Sequence, residues 1–267
     1  MVSFILPGNS ATGGYEVANS LRFDDGSSDS LTRDIGSNGN KKLFTFSFWV
    51  KRSSLGAEQR IFMGDDGGNG EDFVQFKSDD KIKFASADGS QYLSDVDSTR
   101  VFRDLSSWYH VVIAYDSAQS TASNRIKFYV NGVQETVDSS PGGFPDQNTD
   151  ILYWNTSGAD IDIGARTKNS NLYFDGYLAE VVMIDGQALD PTSFGEFDSD
   201  SPTIWKPIDV SGLTFGTNGF YLDFENASSL GADVSGNSNN FTVNNLTSVD
   251  QSTDTCTNNF ATMNPLV

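Results

Sequence analysis

Imidazole and thiol, the side chains that titrate nearest neutral pH, are scarce in this chain. Among 267 residues there is one histidine, His110, and one cysteine, Cys256. His110 lies in "WYHVVIAYD", beside a Trp-Tyr pair, where an imidazole could act as a general base. The stretch alternates, with Tyr109, Val111, Ile113 and Tyr115 on one face and Trp108, His110, Val112 and Ala114 on the other. Both faces are mostly apolar, as in an interior strand of a sandwich, and no G-x-S-x-G serine elbow accompanies them. The expectation is a structural histidine with one ring nitrogen bonded. One His and one Cys also fall short of the ligand count of a zinc site.

Carboxylates, in contrast, are plentiful. "GDDGGNGED" gathers Asp65, Asp66 and Asp72, and "SDVDS" gathers Asp95 and Asp97. Calcium takes carboxylate and carbonyl oxygens from irregular loops, which makes Asp65, Asp66 and Asp72 the candidate metal ligands. Neither cluster matches the full EF-hand pattern, and a solvated Asp-Gly turn accounts for the same residues. For carbohydrate, an aromatic platform with Asn and Asp beside it on loops is the recurring design. "DILYWNTSGAD" supplies Tyr153, Trp154, Asn155 and Asp160, and "TKNSNLYFDG" adds Asn171 and Tyr173. The alternative is an aromatic-rich segment packed in the core or at a subunit interface.

Composition narrows the partners. The chain carries 36 acidic and 17 basic residues, a net charge of −19. Phosphate backbones and anionic membranes are repelled by such a surface, so nucleic acid is not an expected partner. On the same ground neutral or cationic glycans are expected over sulfated ones. The acids are mostly Asp, which favours turns, and with 25 Gly the composition reads as strands and turns. A hydrophobic content of 37%, with 12% aromatic, is enough for a packed core. A lone cysteine closes no internal disulfide. "MVSFILPGNSATGG" lacks a basic n-region, and no stretch approaches the roughly 20 apolar residues of a membrane span, so a soluble chain without a secretion signal or membrane insertion is expected.

The elements that must position these residues follow from period and punctuation. Residues 1–19 read as an arm ordered by contact with something else. "SLRF" begins a strand, and "DDGSSDSLTRDIGSNGN" reads as a long polar loop. "LFTFSFWVK" alternates strictly, Phe44, Phe46, Phe48 and Val50 against Thr45, Ser47, Trp49 and Lys51, as a strand with one buried face does. "RIFMG", "DFVQFKS", "KIKFASA" and "QYLS", separated by Asp-Gly turns, make an antiparallel meander. "RIKFYV" leads through Asn131-Gly132, a two-residue hairpin turn, into a returning "VQETV". "DIDIGAR" and "YFDGYLAEVVMID" are two further strands, the second expected to alternate without interruption, Leu178, Glu180, Val182 and Ile184 sharing a face. "ALDPTSFGEF" starts a short helix with Asp190 as cap and Pro191 at its first position. From 196 onward the chain is a Pro-punctuated connector, a strand "GFYLDFE" and polar loops, which faintly echo "SLRFDD" and "IGSNGN".

A dozen or so short strands without a helical period predict an all-β antiparallel sandwich or jelly roll. "SLRFDD", "FTFSFWVKRSS", "WYHVVIAYD", "RIKFYVNGV", "IDIGAR" and "YFDGYLAEVVMIDGQALDPTSF", in that order, resemble the laminin G-like modules of the concanavalin A-like lectin/glucanase superfamily. The resemblance covers residues 20–195, leaving 196–267 as an extension that packs on the sandwich or on neighbouring subunits. It implies a concanavalin A-like jelly roll and a possible calcium at the sandwich rim. Glucanases of the superfamily carry carboxylates spaced as E-x-D-x-x-E, whereas here "ADIDIGA" offers Asp160 and Asp162 and "LAEVVMID" offers Glu180 and the distant Asp185, so no enzyme activity is expected. "FDGYLAEVVMIDGQALDPTSFGEFD", "GTNGFYLDF", "SGNSNNFTVNN" and "TNNFATMNP" resemble jelly-roll proteins encoded by marine bacteriophages. That resemblance implies a tail, fibre or capsid-associated virion component, assembled in the host cytoplasm, a homo-oligomer with other virion proteins and host-surface glycan as partners. The alternative is a secreted or surface carbohydrate-binding module, and behind it a glycoside hydrolase.

Overall fold

Eighteen strands run through residues 14–259, which the computed structural model describes. Residues 1–13, most of the expected arm, and residues 260–267 lie outside the described residues. In chain order the strands are β1 (Ser20–Phe23), β2 (Ser30–Asp34), β3 (Leu43–Arg52), β4 (Gln59–Asp65), β5 (Glu71–Phe76), β6 (Ile82–Ala87), β7 (Tyr92–Ser98), β8 (Tyr109–Asp116) and β9 (Ile126–Val130). They continue with β10 (Val133–Gln134), β11 (Val137–Gly143), β12 (Asp160–Ile163), β13 (Gly176–Asp185), β14 (Gly195–Phe197), β15 (Trp205–Pro207), β16 (Phe220–Leu222), β17 (Thr242–Asn244) and β18 (Gln251–Ser252).

Two antiparallel sheets of eight strands face each other. The first runs β10-β9-β8-β3-β13-β1-β18, with β16 also on β13, and the second runs β11-β7-β6-β5-β4-β12-β2-β17. The alternation of β3 sends Phe44, Phe46, Phe48 and Val50 between the sheets, where they meet Phe62, Val74, Phe76 and Phe84 in one fully buried core. This all-β antiparallel sandwich is the fold expected from the strand pattern. Asn131 and Gly132 both take positive φ, 49° and 78°, as a type I′ hairpin turn requires. No described helix is long and apolar enough to cross a membrane.

The outer face of the first sheet departs from the one-sided expectation. Thr45, Ser47, Trp49 and Lys51 are all buried, because segments from both ends of the chain lie over them. Phe194, Val210 and Phe215 pack on Val112, Val182 and Ile184, while Val17 and Trp205 pack on Trp49, Trp108 and Ala179. Polar groups caught beneath this cover are paired: Lys51 Nζ meets Asp254 Oδ2 at 2.8 Å, and Trp108 Nε1 donates to Asp254 Oδ1 at 3.1 Å.

Four local readings are corrected. The polar loop after β1 contains β2, a short strand held by β12 and β17 on either side rather than by its own apolar content. In β13 the alternation breaks at Glu180, a bulge with φ of 49°, so that Val181 and Met183 enter the core with Leu178 while Val182 and Ile184 face outward. "VQETV" divides: Val133–Gln134 returns along β9, and Val137 crosses to pair with β7 in the second sheet. The helix at Asp190 is a single 3-10 turn, Pro191–Ser193, capped by Asp190 Oδ1 accepting from Thr192 N at 2.9 Å.

His110 belongs to the outer layer of the first sheet. It is 1% exposed and stacked between Trp49 and Trp205, with ring centres 4.9 and 5.9 Å away. Trp205 Nε1 lies 2.9 Å from its Nδ1, and an indole can only donate, so Nδ1 is the acceptor and the ring proton sits on Nε2, which donates to Ser47 Oγ at 2.9 Å. Burial pushes the imidazole pKa down to about 3. The histidine is therefore neutral in the folded chain and structural, as the two-sided apolar strand predicted.

Two measurements check this arrangement. The unfolded chain gains a proton at His110 below pH 6.5 and the folded chain does not, so this group withdraws about 1.4 kcal/mol of stability per pH unit as pH falls from 6.5 toward 3. In NMR titration the His110 ring is expected to stay neutral from pH 9 to 4 and to titrate near 6 in Trp205→Ala. That substitution removes the ring that fills the space over Gly132 and Gly195 and is expected to cost roughly 3–5 kcal/mol in urea unfolding.

Candidate ligand-binding face

Asp72 organises the segment that the sequence singles out for carbohydrate. It alternates with Val74 and Phe76 on the inward face of β5, and its side chain is fully buried. Oδ1 accepts from Ser86 Oγ at 2.6 Å, and Oδ2 accepts from the backbone amides of Tyr153 and Trp154 at 2.6 and 3.0 Å. Burial raises its pKa to about 6, and these hydrogen bonds limit the rise. The carboxylate draws residues 153–155 across the end of the sandwich. Trp154 then plugs the core against Phe46, Phe84 and Phe44, at 4.9, 5.6 and 6.0 Å, over Gly64, where any side chain would collide with the indole. Asn155 is also buried, its Nδ2 donating to the carbonyl of Asn40 at 2.9 Å. Neither residue can be a sugar platform or a sugar hydrogen-bonding group, because no surface of either reaches solvent.

The other expected carbohydrate residues keep some exposure. Tyr153 is half-buried at the rim, and burial together with Asp66 raises its phenol pKa. Asp160 is exposed and stands directly across from Asp34 and Asp65 on neighbouring strands; burial and then the Asp34 charge raise its pKa. Asn171 is exposed and exchanges backbone hydrogen bonds with Arg166, and Tyr173 is half-buried. No described ring contact or hydrogen bond joins Tyr153 to Tyr173.

The acidic cluster is likewise divided by the fold. Asp65 and Asp66 turn back on their own loop, accepting from Gly67 N at 2.7 Å and Gly68 N at 2.9 Å, while Asp72 points between the sheets. Among the described residues no three His, Cys, Asp or Glu side chains are placed to hold a metal ion, so Asp65, Asp66 and Asp72 do not form the expected calcium site. Asp95 and Asp97 are taken by Lys83 and Lys77, at 2.8 and 2.6 Å. The carboxylates weighed for hydrolysis are separated too. Asp162 is 1% exposed beneath Thr167, in the second sheet. Glu180 lies in the first sheet, accepting from Tyr221 and Tyr15 hydroxyls at 2.7 and 3.1 Å, with burial raising its pKa to about 7. Asp185 ties two loops, accepting from Asn40 N and Asn218 N. Beside it opens a shallow groove of about 660 Å³ between Lys41, Lys42, Asp150 and Thr217.

A more organised surface lies on the outer face of the second sheet. Register places Arg60, Gln75, Lys83 and Asp97 in a row across β4, β5, β6 and β7. Beside it runs a row of Met63, Phe73, Ala85 and Asp95. Arg60 lies over the Phe73 ring with its guanidinium carbon 3.5 Å from the centre, donates to Gln75 Oε1, and pairs with Glu71 at 2.7 Å. Burial lowers its pKa to about 10, Glu71 opposing the shift and Arg166 adding to it. The loop after β12 is pinned here by Arg60 N donating to the carbonyl of Leu172. It brings Arg166 Nε to 2.7 Å and Lys168 Nζ to 3.8 Å from Glu71 Oε2, and Lys168 also donates to the carbonyl of Gly70 at 2.7 Å. Tyr92, 49% exposed, edges the surface with Lys83 Nζ 5.5 Å from its ring centre. Arg60, Gln75 and Asp97 are themselves buried, so Lys83, Arg166, Lys168 and the Tyr92 ring are the groups placed to meet a polyhydroxylated ligand. The signal for this surface in the sequence is only the scattered Arg60, Gln75 and Lys83 among apolar neighbours in "RIFMG", "DFVQFKS" and "KIKFASA", which reads more readily as plain solvent exposure.

Residues 24–193 match a laminin G-type family model described as the concanavalin A-like lectin/glucanases superfamily. The chain belongs to that superfamily. A Bacteroides ovatus protein named for carbohydrate binding shares 17% identity at a TM-score of 0.56, over 86% of this chain and 59% of its own. Domains LG4-5 of the mouse laminin alpha1 chain follow at 12% identity and 0.44, over 80% of this chain and 49% of theirs. A heptameric pentraxin from Limulus polyphemus stands at 14% and 0.45, over 66% of this chain and 80% of its own. A comparison with curated proteins finds no match. The superfamily match stops at Ser193, short of the segments that cover the first sheet.

Asp72→Ala leaves two buried amides without an acceptor and is expected to cost about 2–4 kcal/mol, whereas Asp72→Asn, which can still accept from both, should cost under about 1 kcal/mol. The raised pKa means the folded chain takes up a proton at Asp72 between pH 6 and 4 that the unfolded chain does not. Lowering the pH through that window should stabilise the wild type relative to Asp72→Asn by up to about 1.4 kcal/mol per unit in paired urea titrations.

Proposed function

We propose that this chain is a non-enzymatic glycan-recognition module, a structural component of a bacteriophage virion that contributes to host-surface adhesion. The observation that carries recognition is the contrast between the two outer sheet faces. The terminal segments close the first, while at the second Lys83, Arg166, Lys168 and the half-exposed Tyr92 keep some exposure above a buried row of Arg60, Glu71 and Gln75. The fold is the one borne by the Bacteroides ovatus protein named for carbohydrate binding, which is consistent with this reading.

A non-catalytic role is supported by the carboxylates. Retaining hydrolysis requires an acid and a nucleophile about 5 Å apart and open to substrate. Asp162 is closed in by Thr167, and Glu180 lies on the other sheet beneath Tyr15 and Tyr221. The virion setting rests on the resemblance of "FDGYLAEVVMIDGQALDPTSFGEFD" and the segments after it to phage jelly-roll proteins, and it carries the expectation of a homo-oligomer with other virion proteins as neighbours.

A glycan array should register binding without release of reducing ends, and silence across neutral and acidic glycans would end the recognition reading. Peptides of this chain are expected in mass spectra of purified phage particles, and light scattering is expected to give an oligomer. A monomer absent from particles would leave only the alternative of a free or surface-bound module.

A further inference from the structure

The outer face of the second sheet contains an imbalance at Glu71. Within ion-pair distance this one carboxylate serves three cations: Arg60 at 2.7 Å, Arg166 at 2.7 Å and Lys168 at 3.8 Å. Among the described residues none of the three has another acidic partner within 4 Å, and although Lys168 Nζ also donates to the carbonyls of Gly68 and Gly70 at 3.3 and 2.7 Å, the cluster holds three positive charges against one negative. The cluster is not loosely solvated. Arg60 is 4% exposed with its Nε unpartnered, and the Lys168 side chain is 12% exposed. Among the described residues Arg166 is paired only through Nε, so its remaining N–H groups are free to donate to an oxyanion. The arrangement is also held from outside itself. Arg166 and Asn171 close the loop by backbone pairing, and Leu172 anchors it to Arg60 N.

Resting on the glycan reading for the identity of the bearer, we propose that Arg60, Arg166 and Lys168 around Glu71 form an oxyanion subsite that takes the carboxylate or sulfate ester of an acidic saccharide. Arg166, with 26% of its side chain exposed, and Lys168 meet the oxyanion, while Arg60 supports them from beneath over Phe73. This reverses the preference for neutral glycans inferred from the net charge of −19. The reversal is a matter of range. At physiological salt charges are screened within about 8 Å, so an oxyanion in contact with Arg166 and Lys168 feels those two and little of the distant acids. The acid paired with these cations is Glu71, outnumbered by Arg60, Arg166 and Lys168, and the distant acids act on the approach and slow it.

The test is calorimetric titration of the whole chain with four probes: a uronic acid oligosaccharide, its methyl ester, a sulfated oligosaccharide and inorganic sulfate. Binding of either charged saccharide, at least tenfold tighter than the methyl ester and weakened tenfold or more in Arg166→Ala and in Lys168→Gln, is the expected result. The two charged arms tell which oxyanion is taken. Both substitutions fall on partly exposed side chains, and unchanged circular dichroism spectra separate loss of binding from loss of fold. Equal binding of acid and ester, or unaltered binding by both variants, overturns the subsite while leaving the glycan reading standing. Sulfate bound through Arg166 and Lys168 with no saccharide bound upholds the subsite and overturns the glycan reading. Silence with all four probes overturns both.

Discussion

The burial of the first sheet on both faces is the constraint on which the rest of the molecule depends. β3, β8 and β13 carry apolar or paired side chains above and below, and none of their faces can be left to water. The chain meets this demand with material from beyond the family match: Val17 before it, and Trp205, Val210, Phe215 and Tyr221 after it. Even the lone histidine is spent on this layer, as a neutral link between Trp205 and Ser47. With one outer face committed to packing, recognition is left to the other face and to the loops at the ends.

The parts of this division that were legible in the sequence share one physical basis. A strand period of two survives any context when one face is apolar, which is why β3, β8 and β9 and the β4–β7 meander could be read from residues alone. β2 could not, because its place in the sheet comes from β12 and β17 rather than from its own residues. The bulge at Glu180 was equally hidden: positive φ at a glutamate leaves no mark in residue type, yet it reverses the facing of every residue that follows. The site was less legible than the fold. Trp154 beside Tyr153 and Asn155 has the composition of a sugar platform, and only the position of Asp72, some eighty residues earlier, turns the indole inward. The Glu71 cluster joins residues from two strands and a loop about a hundred positions apart, a distance over which no local pattern operates.

Charge shows the same contrast between what is summed and what is placed. A total of −19 describes the field felt far from the surface, whereas the ion pairs at Glu71, Asp95 and Asp97 describe the field at contact. Many acids lie in turns, where Asp65, Asp66, Asp88 and Asp104 cap their own loops, whereas Arg60, Arg166 and Lys168 converge on one carboxylate. A small number of well-placed cations thus sets the local chemistry of a strongly acidic protein.

One edge of β13 is shared, end to end, by β1 and β16, and the amide of Val17 reaches the hydroxyl of Thr257 at 3.0 Å. The first and last described segments therefore leave the sandwich side by side, on the covered side of the first sheet. Both described ends thus add to the layer that covers the first sheet, and the hydrogen bond between them closes that layer across the whole length of the chain.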